Sequence, residues 1–272
     1  MSDFVFLRSD LSFPTSDDSL YQQLFALEGE VFREVKNRRT LRITLSGSRY
    51  FAKLHEGVGW GEIIKNLALL RLPVLGARRE FDALEHLSGK GVRVPGVAAC
   101  GVRGWNPARQ QSFILLDAIE AATSLEDYTS DWALRAPVPA IKHRLIRAVA
   151  AMTRAMHSAG VNHRDLYICH FLLHHNPPDI RTPVLTLIDL HRAQMRHHVP
   201  RRWQTKDLGA LLFSCEAIGL NRRDWFRFVR EYSGSSLRQA LATDPSFWLA
   251  VERRARRLSE KRRRHLEAGR VD

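Results

Sequence analysis

Apolar and polar residues alternate through residues 24–54, and the apolar positions are rich in β-branched and aromatic side chains. LFALEGEVFREV, TLRITLSG and SRYFAKLH therefore predict three antiparallel strands. Turns are expected near Lys36–Arg39 and at Ser46–Ser48, where Gly47 supplies permissive backbone. Past residue 56 the period changes. GVGWG at 57–61 reads as a loop, and EIIKNLALLRL at 62–72 as a short helix stopped before Pro73. ARREFDALEHLSGKG sets Phe81, Leu84 and Leu87 on one helical face, ended by Gly89 or Gly91. VRVPGVAACGVRG and SFILLD give a fourth and a fifth strand.

Beyond Asp117–Glu120 the pattern turns helical. LEDYTSDW is a short helix. PAIKHRLIRAVAAMTRAMHSAG lines up Ile141, Leu145, Val149, Met152 and Met156, and Gly160 caps its end. KDLGALLFSCEAIG predicts another helix, and the last one starts at Asp244–Pro245 and runs through VERRARRLSEKRRRHLEAG. No internal repeat or low-complexity tract interrupts this order. The fold class expected is α+β, with a small antiparallel sheet lobe over residues 1–118 and a mainly helical lobe over 119–272.

Composition narrows the partners. The chain has 272 residues, 44% hydrophobic, with a formal charge of +13. That charge implies an anionic partner: nucleic acid, an anionic membrane surface or a polyanionic substrate. Cys100, Cys169 and Cys215 are scattered, without metal spacing, and are expected as reduced thiols. MSDFVFLRSDLSF lacks the basic-then-apolar order of a signal peptide. The longest apolar stretch, IIKNLALLRLPVL, is broken by Lys65, Arg71 and Pro73, so membrane association is expected to be peripheral.

The chemistry concentrates in VNHRDLYICHFLLHH and VLTLIDLHR. Phosphotransferases of the protein-kinase fold use an Asp after a helix to accept a proton from the acceptor hydroxyl, followed by two metal-binding side chains. Asp165, His170 and Asp189 fall at those places. Each has a plainer reading: Asp165 as a surface partner of Arg164, Asp189 as a strand-end cap, His170 as a buried hydrogen-bonded histidine. His stands where Asn is usual, and Mg²⁺ prefers oxygen to imidazole nitrogen. His170 is therefore left with three roles: weak metal ligand, phosphate contact, or support for Asp165. Lys53, at a strand end, would reach the ATP phosphates, with Glu80 as its helix partner and Glu85 as a second candidate. An exposed Lys and a solvated Glu are the plain alternative. Asp207 in KDLGALL is placed to brace the HRD backbone.

The glycine-rich loop departs from the pattern. Glu28-Gly29-Glu30 offers two acids where phosphates would lie, so backbone N–H groups would have to cradle them. GVGWG follows Lys53 and reads as a hinge or substrate loop; no Walker motif exists. Gly29, Asp117 and Ile119 are assigned to the nucleotide side. Lys36, Arg38, Arg39 and Arg42 line a hairpin. Arg192, Arg196, His197, His198, Arg201 and Arg202 follow Asp189, where a kinase faces its acceptor; Arg192, Arg196, Arg201 and Arg202 are assigned to an anionic substrate. The C-terminal RRARR and KRRRH read first as a solvated face and second as a membrane contact.

GWGEIIKNLALLRLPVLGARREFDAL, HRDLYICHFLL, LIDLHRA and KDLGALLFS together resemble the lipopolysaccharide core heptose(I) kinases of Gram-negative bacteria, members of the kinase-like superfamily. The resemblance implies ATP- and Mg²⁺-dependent phosphorylation of the first inner-core heptose at O4. Asp165 would be the base, His170 and Asp189 metal-site residues, and Lys53 with Glu80 the phosphate-positioning pair. The expected partners are the lipid A–Kdo–heptose acceptor, the anionic cytoplasmic face of the inner membrane and an acidic protein, with no nucleic acid. A related Kdo kinase, a protein tyrosine kinase, and a non-catalytic module of the same fold stand as alternatives.

Overall fold

A computed structural model of the chain describes residues 3–11, 13, 17–35, 37–57, 59–61, 77–106, 108–175 and 182–269. The helix expected over 62–72 lies outside the described residues. The chain forms two compact units: Met1–His86, Pro95–Ile119 and Leu190–Arg192 in the first, Leu87–Val94, Glu120–Asp189 and Ala193–Asp272 in the second.

The first unit is built on a six-stranded sheet. Its strands are β1 (Phe4–Leu7), β2 (Glu30–Val35), β3 (Arg38–Leu45), β4 (Ser48–His55), β5 (Val97–Arg103) and β6 (Gln111–Asp117). They run in the order β1-β5-β6-β4-β3-β2, every neighbouring pair antiparallel. Leu45 pairs with Ser48, and Ser46 and Gly47 both take positive φ (48° and 80°). That is the two-residue turn whose twist matches the flanking strands. β6 is central, and Phe113, Ile114 and Leu115 along it are all fully buried, so both of its faces are covered.

Two elements of this unit were not foreseen. β1 pairs with β5 at the sheet edge. Residues expected to open the first strand belong instead to helix α1 (Asp17–Phe25), which buries Leu20, Tyr21 and Leu24 in the sheet core. The spacing of those three apolar residues fits one helical face; the alternation proper begins at Glu30. Helix α2 (Arg78–Gly89) follows the expected face, with Leu84 and Leu87 buried and Phe81 half-buried.

The second unit is mainly helical. Its long helices are α4 (Pro139–Ser158), α5 (Arg201–Ser214), α6 (Arg222–Ser233) and α8 (Pro245–Glu267), joined by the short α3 (Leu125–Tyr128) and α7 (Leu237–Thr243). Leu145, Val149 and Met156 of α4 are buried as expected, but Ile141 in its first turn is 39% exposed, so the apolar stripe starts one turn later. α5 begins five residues ahead of the predicted Lys206. Asp244 caps α8 by accepting the Phe247 N–H, with Pro245 at the first helical position. Lys142 of α4 and the buried Asp224 of α6 form an ion pair at 2.9 Å. Two small sheets complete the unit. β7 (Ala122–Ser124), β9 (Phe171–His174) and β10 (Leu185–Leu187) form one, β8 (Val161–Asn162) and β11 (Gln194–Met195) the other.

All three cysteines are free thiols. Among the described residues no helix is long and apolar enough to cross a membrane.

His55, at the end of β4, has a titration consequence. Burial, with the nearby charges of Arg38, Lys53 and His191, lowers its imidazole pKa from 6.5 to about 4. The unfolded chain takes up this proton first, so the His55 contribution is complete above pH 6.5 and is lost as pH falls towards 4. The loss amounts to about 3 kcal/mol at most. Urea denaturation at pH 7 and pH 4.5 should show a larger drop for the wild type than for His55→Gln; equal drops would contradict the assignment.

Candidate active site

The segment His163-Arg164-Asp165 leaves β8 and enters a turn that the backbone does not adopt freely. Arg164 has φ 76°, a left-handed conformation costing on the order of 1–3 kcal/mol for a residue with a Cβ. The compensation is Asp207 on α5. Its carboxylate is fully buried and accepts the N–H of His163 at 2.7 Å and of Arg164 at 2.9 Å. Behind it, His157 of α4 approaches with Nε2 at 3.2 Å, and Tyr232 of α6 lies 2.7 Å from His157 Nδ1. A carboxylate only accepts, so His157 Nε2 carries the proton and Nδ1 accepts from the Tyr232 hydroxyl. Burial pushes the Tyr232 phenol above its usual pKa, which keeps that donor in place.

β9 and β10 pair antiparallel with Phe171 opposite Leu187. His170, just before β9, and Asp189, just after β10, are thereby delivered to the same end of the hairpin. The Ile188 N–H to His170 O bond, 3.0 Å, closes that end. His170 Nδ1 lies 2.8 Å from the Asp165 carbonyl oxygen, so Nδ1 carries a proton there and the neutral ring keeps its lone pair on Nε2. Nε2 sits 3.6 Å from Asp189 Oδ2, longer than a hydrogen bond and short enough for both atoms to reach one cation. The His163 ring stacks on His170 at 5.3 Å, and burial lowers the His163 pKa. Asp189 is itself held at φ 64°.

Among the described residues no cluster of three or more His, Cys, Asp or Glu side chains could enclose a metal. Of the two donors only the Asp189 carboxylate is of the kind Mg²⁺ prefers, and a bound Mg²⁺ would keep most positions for water and phosphate oxygens, the usual habit of this ion. The geometry also links two of the three roles open for His170: one ring nitrogen supports the Asp165 backbone while the other faces Asp189.

In the first unit, Lys53 Nζ and Glu80 Oε1 are 2.6 Å apart, with Glu80 only 2% exposed. β4 fixes the lysine by pairing it with Thr40 and Ile114, and the first turn of α2 supplies the glutamate. Glu85 is exposed. Gly29 packs against β3: a Cβ there would come 2.4 Å from the Arg42 carbonyl oxygen, while Glu30 pairs with Arg42. Asp117 accepts from Arg8 at 2.7 Å, and Ile119 is half-buried where the first unit's second segment ends. Gly57 turns at φ 91° against the Ala108 backbone, and Trp60 is 56% exposed.

The basic residues after Asp189 do not act as one group. Arg196, Arg202 and the unforeseen Lys206 converge on the ring of Trp203, together with Arg164. Arg201 turns instead to Asp244 at 3.4 Å and lies over the Phe247 ring. Arg192 is half-buried in the short turn Leu190–Arg192, which groups with the first unit. Sequence reading also passed over His157 and Tyr232. No local signal joins them, because 75 positions separate the two.

Removing the Tyr232 hydroxyl leaves a buried His157 nitrogen unsatisfied. Tyr232→Phe should lower stability by about 1–3 kcal/mol in urea titration. Tyr128→Phe, at a position 38% exposed, should leave it unchanged. Equal small effects would remove the chain from His157 to Tyr232 as a structural contribution.

Known proteins resemble the chain over most of its length. The Pseudomonas aeruginosa lipopolysaccharide core heptose(I) kinase WaaP is 48% identical over 249 residues, 90% of this chain and 92% of that protein. Its Escherichia coli K12 counterpart is 48% identical over 246 residues, with the same shares covered. A solved structure described as WaaP in complex with acyl carrier protein aligns with a TM-score of 0.76 at 43% identity, covering 88% of this chain and 92% of that one. The sequence pattern of one kinase family matches residues 22–232. The chain belongs to the lipopolysaccharide kinase (Kdo/WaaP) family.

Proposed function

We propose that the chain is an ATP-dependent kinase that phosphorylates the first heptose of the lipopolysaccharide inner core, at O4. The observation that carries this reading is the Asp165 turn. A buried carboxylate grips the two preceding N–H groups, and the His170 ring holds the Asp165 carbonyl. A turn held in this way supports Asp165 as the base for the acceptor hydroxyl.

In the proposed reaction the heptose O4 attacks the γ-phosphorus as its proton passes to the Asp165 carboxylate, and ADP leaves with the bridging oxygen. Little covalent work falls to the protein; positioning and charge carry the rate. Lys53, oriented by Glu80, would hold the α- and β-phosphates. Gly29, Asp117 and Ile119 remain assigned to the nucleotide side. The Gly29 contribution would come from backbone, since its neighbours are acidic. His170 Nε2 and Asp189 would hold Mg²⁺, which when bound neutralises charge on the transferring phosphate. Residues 1–118 would serve the nucleotide and residues 119–272 the base, metal and acceptor.

The charge of +13 supports an acidic acceptor bearing carboxylates and phosphates, and peripheral attachment to the anionic cytoplasmic face of the inner membrane. It also supports an acidic protein partner of the kind found with the solved relative, an acyl carrier protein. An apolar cavity of ≈ 570 Å³ in the helical unit, lined by residues such as Leu145, Phe228 and Trp225, offers space for an acyl chain.

Transfer of labelled γ-phosphate to dephosphorylated core lipopolysaccharide tests the reading. The wild type should label the heptose, and Asp165→Asn should lose about 10²–10⁴-fold in kcat with its melting temperature kept. Label on Kdo would reassign the acceptor. Transfer retained in Asp165→Asn would remove Asp165 as the base.

A further inference from the structure

Trp203 lies in the first turn of α5 and has four cations packed about its ring. Lys206 Nζ is 4.1 Å from the ring centroid, and the guanidinium carbons of Arg196, Arg202 and Arg164 lie at 5.5, 5.6 and 5.8 Å. We propose that this cluster is a subsite for one acidic group of the acceptor, a phosphate monoester or a carboxylate, held next to the hydroxyl that is phosphorylated. The proposal rests on the kinase reading above and assigns its substrate contacts.

A solvated basic surface spreads its charges into water. Here Arg196, Arg202 and Lys206 converge with Arg164 on one ring. Among the described residues neither Arg202 nor Lys206 has a carboxylate partner. The adjacent Asp207 is turned inward, with its oxygens committed to His163, Arg164 and His157. Arg196 is fixed by Asn162 Oδ1 at 2.5 Å and Gln194 Oε1 at 2.7 Å, two neutral acceptors that orient the guanidinium without neutralising it. Burial lowers the Lys206 pKa, and the charges of Arg254, Arg164 and Arg202 lower it further, against a smaller opposing pull from Asp207.

The helix end adds to the imbalance. The first turn of α5 carries no acidic residue and begins Arg201-Arg202, placing cations at the positive end of the helix dipole. That arrangement is unfavourable by itself and becomes favourable when an anion arrives. Trp203 contributes the flat face that holds the cations together by cation–π attraction. Position favours the acceptor as ligand. Arg164 directly precedes Asp165, and Arg196 is bonded to Asn162 in the strand that leads into the same turn. Arg201 is excluded from the cluster by its pairing with Asp244.

The test uses Lys206→Met, Arg202→Gln and the double variant in the full chain. In steady-state transfer each single variant should raise the acceptor KM by about 10- to 100-fold, the scale of one lost charge-assisted contact. The ATP KM should stay within about two-fold. Acceptors stripped of phosphate and acceptors with reduced carboxyl groups identify the source: the one that binds weakly to the wild type and no worse to the variants lacks the recognised group. Inorganic phosphate, followed by calorimetry at low salt, should bind the wild type and not the double variant. An unchanged acceptor KM in both single variants overturns the subsite, as does equal phosphate binding by wild type and double variant. A wild type that binds phosphate through these residues yet labels no core saccharide would overturn the kinase reading and leave the anion site standing.

Discussion

The carboxylate of Asp207 reaches two consecutive N–H groups, those of His163 and Arg164, and much of the helical unit is arranged to keep it there. A buried charge is costly unless its oxygens are fully bonded. The His157 ring supplies a third donor, Tyr232 orients that ring, and three helices thereby converge on one oxygen pair. The return is a left-handed Arg164 that the chain would not otherwise hold. Two charge-assisted bonds, worth roughly 1.5–3 kcal/mol each, offset that strain. Gly160 serves the same turn from the other side. Its φ is 79°, and a Cβ would meet the Arg196 carbonyl oxygen at 1.9 Å, so only glycine allows β8 to leave α4 this closely.

The strain also bears on the proposed chemistry. A base that accepts a proton only at the moment of phosphoryl transfer must be positioned beforehand, because a misplacement of about 1 Å costs on the order of 10²-fold. The Asp165 backbone is held on both sides: Asp207 holds what precedes it, and His170 holds its carbonyl. The hairpin of β9 and β10 then places Asp189 by strand register. The site is thus built from secondary structure and buried hydrogen bonds. In the proposed function the cations gathered on Trp203 serve recognition of the acceptor acid.

The sequence carried the local part of this plan well. Alternation from Glu30 to His55 announced the strands, because each has a covered face. The Asp244–Pro245 pair announced α8 through cap chemistry. Asp165, His170, Asp189 and Asp207 could be singled out because their spacing repeats a known constellation, and the structure brings the other three to the Asp165 turn. Long-range pairs were not readable. Arg8 meets Asp117 across 109 positions, and Tyr232 meets His157 across 75. Charge alone could not separate two neighbours: Arg201 and Arg202 read alike, yet adjacent helical residues point about 100° apart. Had the helix start been placed at Arg201, the i,i+4 spacing of Arg202 and Lys206 would have put those two together on one face with Trp203 beside them.

The central claim is that Asp207 acts through the backbone it holds, and Asp207→Asn examines it directly. The variant keeps the shape, but one of its two acceptors becomes an NH₂ facing a backbone N–H. Circular dichroism and melting must first show that it is folded. Single-turnover phosphoryl transfer at saturating ATP and acceptor should then slow by roughly 10²-fold or more, with ATP binding unchanged within about two-fold. A folded Asp207→Asn protein that transfers phosphate at the wild-type rate would contradict the account.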